Sequence, residues 1–265
     1  MRSASFPASM EPLVASIPMA RAGFSDAAAT KAPIAKIADN NLKPSARKVI
    51  ERYLGDHSIV YYAKWMDEYR RTPEYAFTTK WHVARVDENL VYSPYPEAGD
   101  AISAINEAVE LLKDYENLPD STVAVNIKYL LHLVGDMHCP AHVYYLGRNQ
   151  DYKVKFGGGY IKPVKEMKIH TVWDEAAIQS SRIWSVSEWA EELDRKSPRE
   201  IRSIVAGTPQ DWLEDNARRC LVQFDMSAPG ENVAQDFVNE ALPLIETQIL
   251  YAGYRLAAIL NSIFS

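Results

Sequence analysis

Three of the six histidines in this 265-residue chain stand at 132, 138 and 142, inside or just beyond its most continuously apolar segment. That segment reads Leu130-Leu131-His132-Leu133-Val134-Gly135-Asp136-Met137-His138-Cys139-Pro140-Ala141-His142. Burying an imidazole or a carboxylate costs free energy unless a partner or a cation compensates it, so a fold that hides this helix must also complete it. His132 and Asp136 lie four residues apart and share one helix face. His170 and Asp174, in His170-Thr171-Val172-Trp173-Asp174, repeat that spacing on a second expected helix. One such pair reads as a structural hydrogen bond; two pairs with further histidines read as halves of metal sites. Imidazole plus carboxylate without a thiolate cluster is the donor set of catalytic zinc, which leaves a coordination position for water. Cys139 is not expected as a ligand. Asp136 and His142 are about 600° of helical rotation apart and face one cleft only if Pro140 breaks the helix between them.

The remaining pattern predicts a mostly α, single multi-helix domain with one short β-hairpin. Apolar residues recur at helical spacing over Ile34–Leu42, from Pro44 to Leu54, over Ile59–Tyr69, over residues 100–117, and from an Asp120-Ser121 cap through Val134. Further helices are expected at 170–183, 187–195, 198–206 and 209–225, and from Val233 to Ile263 with a kink at Pro243. Tyr152–Ile161 alternates and turns on glycines, which predicts the hairpin. Residues 1–30, rich in Ala, Ser and Pro, read as a leader or arm outside the core, with the domain over 31–265. Arg2, the apolar Pro12–Met19 stretch and Ala20-Arg21-Ala22 resemble a secretory signal with its cleavage site, so a secreted or periplasmic location is expected.

Composition narrows the function. With 47% hydrophobic residues the chain can build a full core, and with no run of about 18 apolar residues it offers no membrane-spanning helix. A net charge of −6 argues against gripping duplex nucleic acid by basic coverage alone, although bound metal cations could supply that charge. Two cysteines, Cys139 and Cys220, allow one bridge or two buried thiols. A monomer is the default expectation.

Trp65-Met66-Asp67-Glu68-Tyr69-Arg70 and Trp81-His82 add a carboxylate, a guanidinium and an imidazole beside tryptophans. Taken with the two His/Asp stretches, Ile34-Ala35-Lys36-Ile37-Ala38 and Ala252-Gly253-Tyr254-Arg255-Leu256, they resemble the zinc-dependent S1/P1 nuclease family, whose fold is shared with bacterial phospholipase C. The resemblance spans about residues 34 to 260.

The resemblance implies Zn2+ ligands position by position. Asp67, His82, His132 and Asp136 would hold one ion, and His142, His170 and Asp174 a second. In the family a third zinc pairs with the first across the carboxylate matching Asp136, and is otherwise held by an amino-terminal Trp and a nearby His. Here Lys31 stands at that His position and no histidine precedes His57, so two sites have full ligand sets and the third does not. Asp67 and Asp136 would serve catalysis, with Asp67 orienting the attacking water and Arg70 clamping a phosphate oxygen. His138 would either brace a zinc ligand from behind or be a satisfied core histidine. The implied activity is hydrolysis of single-stranded RNA or DNA to 5′-phosphate products, with removal of 3′-phosphates from nucleotides. Two alternatives share the ligands: a phospholipase C-like hydrolase, and a degenerate relative that binds zinc without turnover. The family often places an aromatic after the His matching His82; Val83 stands there instead, removing a stacking surface worth about 1–3 kcal/mol per base.

Overall fold

A computed structural model describes residues 28–95 and 97–265; the expected signal segment lies outside them. Twelve α-helical segments carry the fold among these residues: α1 (Ala28–Asn40), α2 (Pro44–Tyr53), α3 (Trp65–Tyr69), α4 (Ala101–Leu112), α5 (Asp120–Asp136), α6 (Ile169–Thr171), α7 (Ala177–Ser181), α8 (Val186–Leu193), α9 (Pro198–Ile204), α10 (Pro209–Cys220), α11 (Gln223–Met226) and α12 (Gln235–Phe264). No helix among the described residues is long and apolar enough to cross a membrane. The helix starts follow local chemistry. Ser185/Glu188, Ser197/Glu200 and Thr208/Asp211 form reciprocal capping boxes at α8, α9 and α10, and Asp100/Ser103 does so at α4.

Helix α5 is the axis of the molecule. From Tyr129 to Asp136 every residue is buried, which its all-round apolar sequence requires. Its N-cap is Pro119 rather than the expected Asp120-Ser121, and Asp120 is the first helical residue; proline ahead of an acidic first turn starts the helix without a side-chain cap. α1 and α12 pack side by side at Gly253, where an added Cβ would lie 2.6 Å from Ile37 Cγ2. Pro243 sits inside the continuous α12. α1 begins at Ala28 with Thr30 and Lys31 buried, so the core starts inside the segment assigned to the arm.

The β content exceeds the single hairpin. β1 (Ala84–Val86) pairs in parallel with β2 (Val143–Tyr145), and β3 (Lys153–Gly158) forms the expected hairpin with β4 (Ile161–Lys168). β5 (Asn232–Val233) adds a parallel edge to β3. Three-residue strands carry too little alternation to be seen in sequence. The expected helix over Ile59–Tyr69 divides into a 3-10 turn, Ile59–Tyr62, and α3. The one over 170–183 divides into α6, a π-turn at Val172–Ala176, and α7. Cys139 and Cys220 are both buried free thiols.

Candidate metal centre

Each donor is delivered by a different local device. α5 carries His132 and Asp136 one turn apart on the same face. The helix ends at Asp136, and a 3-10 turn at Pro140–His142 swings His142 back over it, so that His142 Nδ1 lies 3.5 Å from Asp136 Oδ1. The break falls ahead of Pro140, as the spacing required. His82 closes another 3-10 turn, Ala76–His82. β1 and β2 begin just after His82 and His142, and their register, Ala84 opposite Val143, ties the two histidines together. α3 supplies Asp67, and Arg70 follows it one turn on.

The buried carbonyls beyond α5 have dedicated partners. Asn216 donates to Met137 O, Gln248 to His138 O and Gln223 to Pro140 O, satisfying groups that a buried helix end would otherwise orphan. These amides fix the turn that presents His142.

The first donor group is tight. Asp136 Oδ2 lies 2.8 Å from His82 Nδ1 and 3.1 Å from His132 Nε2, and the two imidazole nitrogens are 3.1 Å apart. Asp67 Oδ1 lies 3.7 Å from His82 Nδ1 and 3.6 Å from His132 Nε2. Donors at about 2.0–2.2 Å from a tetrahedral zinc are separated by edges of about 3.3–3.6 Å, and the distances among Asp67, His82 and His132, 3.1–3.7 Å, bracket that value. His132 Nδ1 faces Ala63 O at 3.1 Å; a carbonyl only accepts, so Nδ1 donates there and the ring turns Nε2 toward the Asp67 and Asp136 carboxylates. Burial, against the pull of Asp136, lowers the His82 pKa.

The second group joins His142, Asp174 and Cys139, whose donor atoms all lie within 4.8 Å of one another. His142 Nδ1 donates to His82 O at 2.6 Å, leaving a buried Nε2 without a hydrogen-bond partner, 3.5 Å from Asp174 Oδ1. His170 stands beside it, its ring centroid 4.7 Å from that of His142. Burial works against a charge on His142, but Asp136 and Asp174 push its pKa up to about 9; burial and the adjacent His142 pull His170 down to about 4. Burial and the Asp174 carboxylate raise the Cys139 thiol well above its usual range. The sequence set Cys139 aside; its approach comes from the turn after α5, which residue spacing alone did not specify.

Lys31 is the group whose place sequence reasoning missed. Its side chain is 2% exposed and its Nζ lies 2.7 Å from Asp136 Oδ1 and 3.2 Å from Asp174 Oδ1. Burial alone would discharge it, but the two carboxylates outweigh burial and hold its pKa well above the ordinary lysine value. Asp136 shows the reciprocal effect: despite burial, His132, His142 and Lys31 hold its pKa well below the usual carboxylate value. The available signal was its position on the buried stripe Lys31, Ile34, Ala35, Ala38 and Leu42 of α1 and the turn after it.

Arg70 Nη2 lies 3.3 Å from Asp67 Oδ1 and the residue is partly exposed, at the open side of the first group. His138 takes the core alternative: Nδ1 donates to Val134 O at 2.7 Å and Nε2 accepts from Arg255 Nη1 at 2.8 Å, and burial lowers its pKa to about 3. Arg255 also reaches Ile204 O and Asp215, and Tyr254 donates to Asp194 Oδ1. The Ala252–Leu256 motif thus braces the helices behind the site.

Comparison with known proteins accords with this arrangement. The family model described as S1/P1 Nuclease matches residues 32–265. Nuclease S1 of Aspergillus oryzae is 26% identical over 88% of this chain and 89% of its own length. Nuclease P1 of Penicillium citrinum is 25% identical over 88% and 95%, and Endonuclease 4 of Arabidopsis thaliana 23% over 88% and 87%.

Proposed function

Because the chain belongs to the S1/P1 nuclease family, a family of zinc-dependent hydrolases acting on phosphodiester bonds, we propose that it cleaves single-stranded RNA or DNA to 5′-phosphate products and removes 3′-phosphates from nucleotides. The observation that carries the reading is the first donor group: the Asp67, His82 and His132 donor atoms all lie within 4.8 Å of one another, and Asp136 Oδ2 lies 2.8 Å and 3.1 Å from the two imidazole nitrogens.

In this reading Asp67, His82, His132 and Asp136 hold one zinc ion, and His142, Asp174 and His170 a second, with the Cys139 thiol at its edge. Zinc there supplies a water acidic enough to deprotonate near neutral pH and positive charge toward the phosphoryl oxygens. The protein residues do the rest. Ala63 O and His82 O fix the tautomers of His132 and His142, so that both present a lone pair inward. Asp67, the more exposed carboxylate of its group, accepts a hydrogen bond from the attacking water and aims it. Arg70 leaves Asp67 to fork onto a non-bridging phosphate oxygen, a bidentate match that a lysine could not make. With a net charge of −6, grip on the substrate falls to the centre and this arginine rather than to basic coverage.

We also infer a secreted or periplasmic location, supported by the Arg2, Pro12–Met19 and Ala20–Ala22 pattern, and a domain running from the start of α1 to the C-terminus. The test of function is digestion of a single-stranded oligonucleotide by zinc-loaded protein, with product ends read by mass spectrometry. 5′-Phosphate termini are expected. No cleavage by protein carrying zinc would leave only the degenerate alternative, and cleavage of phosphatidylcholine vesicles instead would select the phospholipase one.

A further inference from the structure

The two donor groups are not separate. Asp136 directs Oδ2 to His82 and His132 and Oδ1 to the Lys31 ammonium; Asp174 faces both His142 and the same ammonium. Lys31 therefore lies between the groups, ion-paired with Asp136 of one and hydrogen-bonded to Asp174 of the other. The packing is made for it. Gly135, next to Asp136, is where the lysine stem crosses α5: a Cβ there would lie 3.1 Å from Lys31 Cδ. At the other end Thr30, its neighbour on α1, donates to Asp174 O at 3.4 Å.

We propose that Lys31 is a resident cation of the metal centre: its ammonium holds Asp136 Oδ1, the carboxylate oxygen that a further dication between the groups would need, so the centre takes one metal ion in each group and no third. The inference rests on the two-site reading above. A carboxylate oxygen 2.7 Å from an ammonium cannot also coordinate a dication without bringing two cations into contact inside a buried site. Positive charge between Asp136 and Asp174 is thus supplied by the chain itself, present whether or not metal is available. Lys31 is a positioning residue, acting through Asp136 and Asp174 rather than on substrate, since its side chain is buried.

The test counts zinc by elemental analysis after loading with excess zinc and desalting, in the wild type, Lys31→Arg, Lys31→His and Lys31→Met, with circular dichroism to establish folding. Two zinc ions per chain are expected for the wild type and Lys31→Arg, which keeps a cation in place. Three are expected for Lys31→His, which exchanges the cation for a neutral donor beside the freed oxygens. Metal-free Lys31→Met is expected to melt below metal-free wild type and to gain more from added zinc, because a dication replaces the missing ammonium; a lysine of merely structural role would give no such rescue. Three ions in the wild type overturn the proposal, as do two in folded Lys31→His or equal zinc-induced shifts in Lys31→Met and wild type. Fewer than two in the wild type overturn the two-site reading as well.

Discussion

Replacing Gly253 by alanine tests how the helix that carries Lys31 is seated. An ideal Cβ at 253 falls 2.6 Å from Ile37 Cγ2, 2.7 Å from Ile37 Cβ and 3.2 Å from Ile34 O, whereas relaxed carbon–carbon contacts are about 3.5–4.0 Å. Ile37 Cβ is fixed to its backbone, so no rotamer change relieves the clash; α1 must move off α12 by about 1 Å. Overpacking of this kind costs about 1–3 kcal/mol, and the better helix propensity of alanine returns about 1 kcal/mol, so the net loss is about 0–2 kcal/mol. For a domain of this size that lowers Tm by up to about 8 °C. Thermal unfolding of metal-free protein measures it. The shift of α1 also carries Lys31 away from Asp136, so zinc affinity should change together with stability. A Gly253→Ala variant more stable than the wild type would refute the described contact between α1 and α12.

Other perturbations separate the roles of individual groups. His132→Ala should remove one zinc ion per chain by elemental analysis and lower hydrolysis more than about 100-fold, beyond the loss typical of a group that only orients a ligand. Arg70→Ala should lower kcat about 100-fold with zinc content unchanged, and Arg70→Lys should restore little of it, because a point charge does not replace the fork. Asn216→Ala leaves the buried Met137 carbonyl without its donor and should cost about 1–3 kcal/mol in urea unfolding. In metal-free protein His142 is pushed up to about 9 from an ordinary value of 6.5. Its folded-state pKa is raised, so its stabilising contribution is complete below pH 6.5 and fades as pH climbs to about 9. His142→Gln should flatten that part of the curve, and zinc should abolish it by displacing the proton.

What the sequence discloses about the site depends on how each residue is delivered. His132 with Asp136, and His142 beyond a helix-breaking proline, were legible because helical geometry links spacing to direction. That Asp67 and His82 approach them across the fold came from resemblance rather than spacing, since a five-residue helix and a 3-10 turn carry little periodic signal. The strands after His82 and His142 were invisible for the same reason, although they lock the two histidines together. Lys31 was legible as an odd residue at a ligand position, and charge alone suggested that it would repel metal. The structure shows it engaged with Asp136 and Asp174, a placement that depends on a glycine in α5 and on the buried face of α1. His138 was ambiguous in sequence because its partner, Arg255, lies 117 residues away.

In this reading Asp67, His82, His132 and Asp136 surround one zinc ion. Anomalous diffraction at the zinc absorption edge from crystals of the zinc-loaded protein measures this directly. A strong peak is expected about 2.0–2.2 Å from Asp67 Oδ1, His82 Nδ1, His132 Nε2 and Asp136 Oδ2. Zinc-loaded crystals with no peak among these four atoms, or with zinc only at surface residues, would contradict it.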